Sequence, residues 1–499
     1  MPRRADSRSV TLGPVEPLRP LLETLAETIG HPAWLVGGAV RDLLVGRPLR
    51  DLDLALPGGS MVAGRRLADR LGGAFVPLGE PHGVARVVLP GAPALQVDLA
   101  DLRGPSLEAD LGGRDFTIDA LAVDLGALLG GPAAVQDPTG GLDDLAARRL
   151  RACGYTAFAD DPVRVLRALR LSHELGFTIE PETESLARAA VPRLSSVAAE
   201  RVRDELTRLL RLPRSAPAIR QADRWSGLEV VLPEVAAMRD ATQSAPHRFT
   251  VWEHSLQALA AADTLLEDLR LLAPHDARVA ASFGEPMGSG LTRREVWRLA
   301  VLLHDVAKPE TRSVDADGRT RFIGHDRLGA ERAAAIANRL AWPGRAGEVL
   351  ARLVRHHLRP MHLGMLDELT RRARYRFHRD VAEEVPALVC LSIVDAAGTD
   401  GSSPGLVYRG RTRALLESLL AGEGPAAREA AEPPLVRGED VMATLGLAPG
   451  PAVGRALRRV REAQALGLVR TCDEALDWLA REPPADGEGA AGTQGDAST

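Results

Sequence analysis

The chain has 499 residues, 45% apolar and 26% charged, with a formal net charge of −5. That length exceeds what one hydrophobic core supports, so two to four domains are expected. The mild acidity argues against a simple basic coat for nucleic acid, and no apolar run approaches the roughly 20 residues a bilayer span needs.

The opening MPRRADSRSVTLG has no apolar stretch behind its arginines and is not a secretion signal. Residues 16–30 pattern as an amphipathic helix, AWLV (33–36) as a short strand, and a Gly-Gly turn leads into a helix over 39–45. DLDLAL (51–56) alternates charged and apolar residues, as a strand with one wet face does. A helix at about 60–71 and strands near 74–78, 84–89 and 94–99 follow, giving a small α/β or α+β domain. From about 160 to 235 the pattern is helical, without strands, and a second helical block over about 247–400 carries most of the histidines. Residues 421–434 read as a linker, 435–481 as a compact helical tail, and the last stretch, with almost nothing to bury, as disordered. Cys153, Cys390 and Cys472 form no CxxC pair, which fits a reduced, cytoplasmic protein. Lys308 is the only lysine; the arginine excess is read as compositional bias.

The strongest local signal is LVGGAVRDLLVGRPLRDLDLAL (35–56). Gly37 and Gly38 lie between a strand and a helix, where backbone N–H groups can approach phosphate. Asp51 and Asp53, two apart on a strand, point to one face. Carboxylates so placed repel unless they share cations, and Mg²⁺ on carboxylate oxygens is what transfer from a nucleoside triphosphate requires. Asp98, in LQVDLADL, is a candidate third carboxylate on a neighbouring strand.

The combination resembles the nucleotidyltransferase superfamily. GRDFTIDALAVDL (113–125), DPTGGLDDLAARRLR (137–151) and DDPVRVLRALRLSHELGF (160–177) narrow the resemblance to class II CCA-adding tRNA nucleotidyltransferases and their poly(A) polymerase relatives. It implies that Arg114 and Asp115 hold the sugar hydroxyls, that Asp161 and Arg164 read the base, that Arg167 faces the triphosphate, and that Arg41 belongs to the nucleotide-binding set. The spacing of Asp161 and Arg164, i and i+3, puts both on one face of a helix. A carboxylate acceptor beside a guanidinium donor can copy the hydrogen-bonding edge of a base. The family pattern departs at Gly113, where an arginine is usual, at Asp119 and at Asp160. The stretch between Asp98 and Glu108 is also short, a feature of relatives that add only CC. Full CCA and CC-only addition both stay open, with addition of A alone ranked behind them.

In the second helical block, His254, His304-Asp305 and Asp395 lie on helices, with His325, His356 and His357 between them in the chain. Imidazole and carboxylate groups converging in a helical bundle suit a divalent transition metal. The set resembles the HD phosphohydrolase superfamily, with His254, His304, Asp305 and Asp395 as its core and the other three histidines as further ligands.

The resemblance implies an α+β nucleotidyltransferase head of polymerase β-like type (1–148) and an all-α neck and body (149–240). An all-α HD domain (241–420), a linker (421–434), a helical tRNA-binding tail (435–482) and a disordered C-terminus (483–499) complete it. It implies an enzyme that adds CCA, or only CC, to the 3′ end of tRNA from CTP and ATP with Mg²⁺ at the head. Poly(A) polymerase, or an HD phosphohydrolase whose head only binds nucleotide or RNA, are the alternatives.

Overall fold

The computed structural model describes residues 6–9, 16–30, 32–49, 51–79, 83–91, 95–130, 133–366, 368–421 and 433–481. Most of the expected linker and all of the expected disordered C-terminus lie outside these residues. The chain divides into two compact units, residues 1–212 with 217–231, and residues 213–216 with 232–499.

In the first unit eight strands form one sheet: β1 (Asp6–Ser9), β2 (Trp34–Val36), β3 (Asp51–Leu56), β4 (Ala74–Gly79), β5 (Val84–Val88), β6 (Gln96–Asp101), β7 (Ala122–Asp124) and β8 (Ala134–Asp137). Their order is β1-β8-β7-β2-β3-β6-β5-β4, and β3 and β6 run parallel. Sequence reading had not singled out β1, β7 or β8. Helices α1 (Arg19–Ile29), α2 (Gly38–Leu44) and α3 (Ser60–Leu71) bury their apolar stripes against the sheet. Leu52, Leu54, Val97 and Leu99 point into that core with Leu25, Val40 and Leu67. Each such burial stabilises by roughly 1.5–3 kcal/mol. Because side chains alternate along a strand, the same packing turns Asp51, Asp53 and Asp98 to the opposite face. There a smaller cluster of Val36, Ala55, Leu107, Leu111, Ala120 and Ala122 forms.

Helices α4 (Leu107–Gly112), α5 (Leu125–Gly130), α6 (Gly141–Ala146), α7 (Ala157–Asp160), α8 (Arg164–Leu175), α9 (Pro181–Ala190) and α10 (Ala199–Arg211) continue the unit. The stretch expected to lack strands contains one, Thr178–Ile179, paired in parallel with Arg149–Leu150.

The second unit is helical. Its helices Val251–Glu267, Arg293–Leu303, His325–Arg339, Gly344–His356 and Val385–Gly398 are among its framework. Two short hairpins, Pro286–Gly288 with Leu291–Thr292 and Ser313–Val314 with Thr320–Arg321, qualify the all-α expectation for this block. In the tail, Gly438–Leu445, Pro451–Ala465 and Cys472–Arg481 enclose a core of Val441, Val453, Ala456, Val460 and Leu479. Glu462 of this tail accepts from Arg372 Nε at 2.6 Å and Arg376 Nε at 2.9 Å. No helix among the described residues is long and apolar enough to cross a membrane.

Candidate active site and metal centre

The parallel register of β3 and β6 sets Asp53 opposite Asp98 and Asp51 opposite Gln96. The antiparallel β5 brings Arg86 opposite Asp98, and its fork donates to both carboxylate oxygens, at 2.8 Å from Nε and 2.7 Å from Nη2. Burial and the facing Asp98 push the pKa of Asp53 up to about 6, with Asp51 adding to the rise and Arg114 and Arg167 opposing it. Three acids on one face, one of them resisting ionisation, form a donor set of hard oxygens that a divalent cation relieves.

Gly37 closes the other side. Its φ is +71°, and a methyl group there would lie 3.0 Å from Arg114 Nη1 and 3.5 Å from Asp53 Oδ2. A side chain would therefore be strained and would fill the space beside the acids. Gly38 opens α2. Arg114 is anchored by Asp110, whose Oδ2 accepts from Nε at 3.2 Å and Nη2 at 3.0 Å. Arg41 is only 6% exposed; its Nη1 donates to Asp119 at 2.5 Å and its Nε to Asp42 at 2.9 Å. Its fork thus ties α2 to the turn at Thr117–Asp119.

Arg114, Asp115, Asp161, Arg164 and Arg167 line one cleft of about 330 Å³, together with Arg201. Asp115 Oδ2 lies 2.6 Å from Arg167 Nε. Burial would raise the Asp115 pKa, but Arg167, Arg164 and the Phe116 N–H hold it below the ordinary range. The expectation that Asp161 and Arg164 share a helix face is corrected. Asp161 precedes the helix, with φ −148° and ψ 94°, and α8 begins at Arg164. The cause is Pro162, whose ring disfavours helical geometry in the residue before it. The two side chains nevertheless approach, with Arg164 Nε 3.8 Å from Asp161 Oδ2.

In the second unit, ligand atoms of His254, His304 and Asp395 lie within 4.8 Å of one another, as do those of Asp305, His325 and His357. Asp305 joins the groups: Oδ2 is 3.3 Å from His304 Nε2, and Oδ1 is 3.4 Å from His325 Nε2 and 3.6 Å from His357 Nε2. The Nδ1 atoms of His304, His325 and His357 donate to the carbonyls of Val301, Phe322 and Val354. Each ring therefore presents Nε2 to the cluster, the orientation a metal-binding imidazole has. Burial disfavours charge on His304, yet the facing Asp305 and Asp395 push its pKa up to about 10. The pocket demands positive charge, and its N/O donors fit a divalent metal. The sequence offered both His356 and His357. The structure brings His357 into the cluster, while His356 stands outside it beside Arg359 and Asp380, its pKa brought down to about 4, first by burial and then by Arg359.

Sequence reasoning missed Arg86, Asp110 and Arg201, whose partners are fixed by strand register and helix packing. It also gave no role to Lys308, whose Nζ lies 2.6 Å from Asp305 Oδ2. That residue carried a legible signal, since it sits three positions beyond the HD pair and is the single lysine.

Residues 33–151 match the family model described as the poly A polymerase head domain, and residues 176–239 the one described as a probable RNA and SrmB-binding site of polymerase A. Residues 251–397 match the HD domain. An A-adding tRNA nucleotidyltransferase of Deinococcus radiodurans is 39% identical over 457 residues, covering 90% of this chain and 95% of the relative. The chain belongs to the tRNA nucleotidyltransferase family. Among other members, CC-adding tRNA nucleotidyltransferases of Geobacter sulfurreducens and Thermus thermophilus are 33% and 37% identical. They cover 93% and 90% of this chain, and 95% and 93% of their own lengths. A solved CCA-adding enzyme in apo form I shares the fold of this nucleotidyltransferase, with TM-score 0.57 and 20% identity over 95% of both chains. A Thermotoga maritima CCA-adding enzyme complexed with tRNA shares it at TM-score 0.52 and 20% identity, over 93% of this chain and 94% of that one. As a family member the chain is an enzyme, with the expected α+β head followed by helical parts and an HD domain.

Proposed function

We propose that this protein transfers nucleotides from CTP and ATP to the 3′ end of tRNA, releasing pyrophosphate. The observation that carries the reading is the in-register pair Asp53–Asp98, with Asp51 on the same face, beside a cleft lined by Asp161 and Arg164. Mg²⁺ on Asp51 and Asp53 would activate the 3′ hydroxyl and neutralise the departing pyrophosphate. Asp98, held by Arg86, adds negative charge to that face. Gly37 leaves room for the triphosphate, Arg167 supplies its countercharge, and Arg114 with Asp115, which also keeps Arg167 in place, would hold the sugar hydroxyls. Cytosine and adenine both present an exocyclic amine beside a ring nitrogen acceptor; Asp161 accepts from the first and Arg164 donates to the second. In the HD domain, His254, His304, Asp305 and Asp395 would hold a divalent transition metal. Asp305, His325 and His357 would hold a second, for hydrolysis of phosphoesters. Free cysteines throughout suit a reducing, cytoplasmic setting.

A narrower reading, addition of CC alone, is favoured by one feature: five residues, 102–106, connect β6 to α4. The resemblance associates a short segment here with members that stop before the terminal adenosine. The test uses three tRNAs, ending before the first C, after the first C and after CC, each incubated with labelled CTP or ATP. Extension that stops at a defined end, with at most two, one and no cytidines added from CTP on the three tRNAs in that order and at most one adenosine added from ATP to the CC-ended one, supports the general reading; no incorporation, or a long homopolymer, overturns it. Incorporation of C with ATP ignored supports CC addition. Addition of A to the CC-ended tRNA contradicts it.

A further inference from the structure

The base-reading pair Asp161–Arg164 carries opposite charges on neighbouring side chains, so its lowest-energy arrangement in isolation is a direct salt bridge. Such a bridge would use up the acceptor and the donor that the base needs. The structure shows a different arrangement. Arg201, on α10, donates from Nη1 to Asp161 Oδ1 at 3.0 Å and from Nη2 to Asp161 Oδ2 at 2.7 Å. Arg164 is drawn the other way: its Nη1 donates to the Ala157 carbonyl at 3.0 Å and its Nη2 to the Gly113 carbonyl at 3.4 Å. Its Nε is left in a loose ion pair, 3.8 Å from Asp161 Oδ2 and beyond hydrogen-bond reach.

We propose that Arg201 is a specificity-determining positioning residue: its fork holds the Asp161 carboxylate in one plane and away from Arg164, so that the pair reads the base instead of neutralising itself. The inference rests on the base-reading role given to Asp161 and Arg164 above. A bidentate arginine fixes a carboxylate in orientation as well as in charge. It leaves each carboxylate oxygen a further lone pair for an exocyclic amine. Uracil and guanine present a carbonyl where cytosine and adenine present the amine, so a fixed acceptor facing them is left unpaired or repelled. Discrimination arises from that penalty. With Arg201 removed, Asp161 swings toward Arg164 and the penalty for the wrong base is lost along with the contact for the right one.

Arg201 is half-exposed at its outer end, its side chain 54% accessible, so substitution does not cut into a core. The experiment measures single-turnover incorporation of CTP, UTP, ATP and GTP into tRNA by the full chain and by its Arg201→Ala, Arg201→Lys and Asp161→Ala variants. The expected result for Arg201→Ala is a fall of about tenfold or more in preference for CTP and ATP over UTP and GTP, the size of one charged hydrogen bond. It comes with a raised apparent Kd for the correct nucleotide and a smaller change in the maximal single-turnover rate. Arg201→Lys, which keeps the charge but not the fork, falls between. Unchanged preference in Arg201→Ala, or a uniform rate loss with all four nucleotides, overturns the proposal. If Asp161→Ala also discriminates normally, it is the base-reading assignment that fails. If Asp161→Ala loses discrimination while Arg201→Ala keeps it, only the role of Arg201 fails.

Discussion

Asp53 stands opposite Asp98 across the parallel pair β3–β6, and Arg86 occupies both oxygens of Asp98. Burial, Asp98 and Asp51 push the pKa of Asp53 up to about 6. A proton and a cation then compete for the same oxygens. Nucleotide incorporation at subsaturating Mg²⁺ should fall as pH drops through about 6, because protonated Asp53 is the form that cannot bind metal. Removing the cationic neighbour Arg86 disfavours ionisation, so Arg86→Ala should move that acid limb to higher pH. Rate–pH profiles at several Mg²⁺ concentrations check this; a limb that stays in place in Arg86→Ala contradicts it.

Asp110 is 3% exposed. It accepts from the Arg103 backbone N–H at 3.1 Å and from Arg103 Nε at 3.0 Å as well as holding Arg114. Burial would raise its pKa, but Arg114 and Arg103 hold it below the ordinary carboxylate range. Its contribution is therefore present above the unfolded-state value and is lost as pH falls through the lower, folded-state value. Asp110→Ala is expected to cost about 1–3 kcal/mol at neutral pH, read as a lower Tm, and to raise KM for nucleotide as Arg114 loosens. A wild-type Tm with unaltered KM would show that Arg114 is held by other means.

The two histidine groups meet at Asp305, so the ligands differ in what they remove. Asp305→Ala should deplete tightly bound transition metal from both positions, and His357→Ala from the one shared with His325. His356→Ala should leave metal content intact. Elemental analysis of each purified variant checks this, with nucleotide incorporation expected to survive in all three. Equal metal loss in His356→Ala and His357→Ala would break the assignment.

The chemistry-bearing residues were legible where local sequence dictates geometry. Alternation in DLDLAL put Asp51 and Asp53 on one face because the strand period is two. The turn at Gly37 was visible because a left-handed residue between strand and helix favours glycine. What sequence left hidden depends on register and packing. Nothing local tells that Arg86 lands opposite Asp98 or that Arg201 reaches Asp161 from forty residues away. The choice between His356 and His357 is a rotation of about 100° at the end of one helix, which tertiary packing decides. Asp161 was misread as helical because the i, i+3 spacing was weighed without the proline that follows it.

The proposed role of Asp51 and Asp53 in holding the cation for nucleotidyl transfer is tested most directly by Asp53→Asn. This substitution keeps the size of the side chain and removes its charge. With labelled CTP, saturating Mg²⁺ and tRNA lacking its 3′ terminus, the variant should incorporate nucleotide at least about 10³-fold more slowly than wild type, a loss of several kcal/mol of transition-state stabilisation. Binding of tRNA, measured in parallel, should be retained. Incorporation within tenfold of wild type would contradict the account and leave the HD domain as the site of whatever chemistry the chain performs.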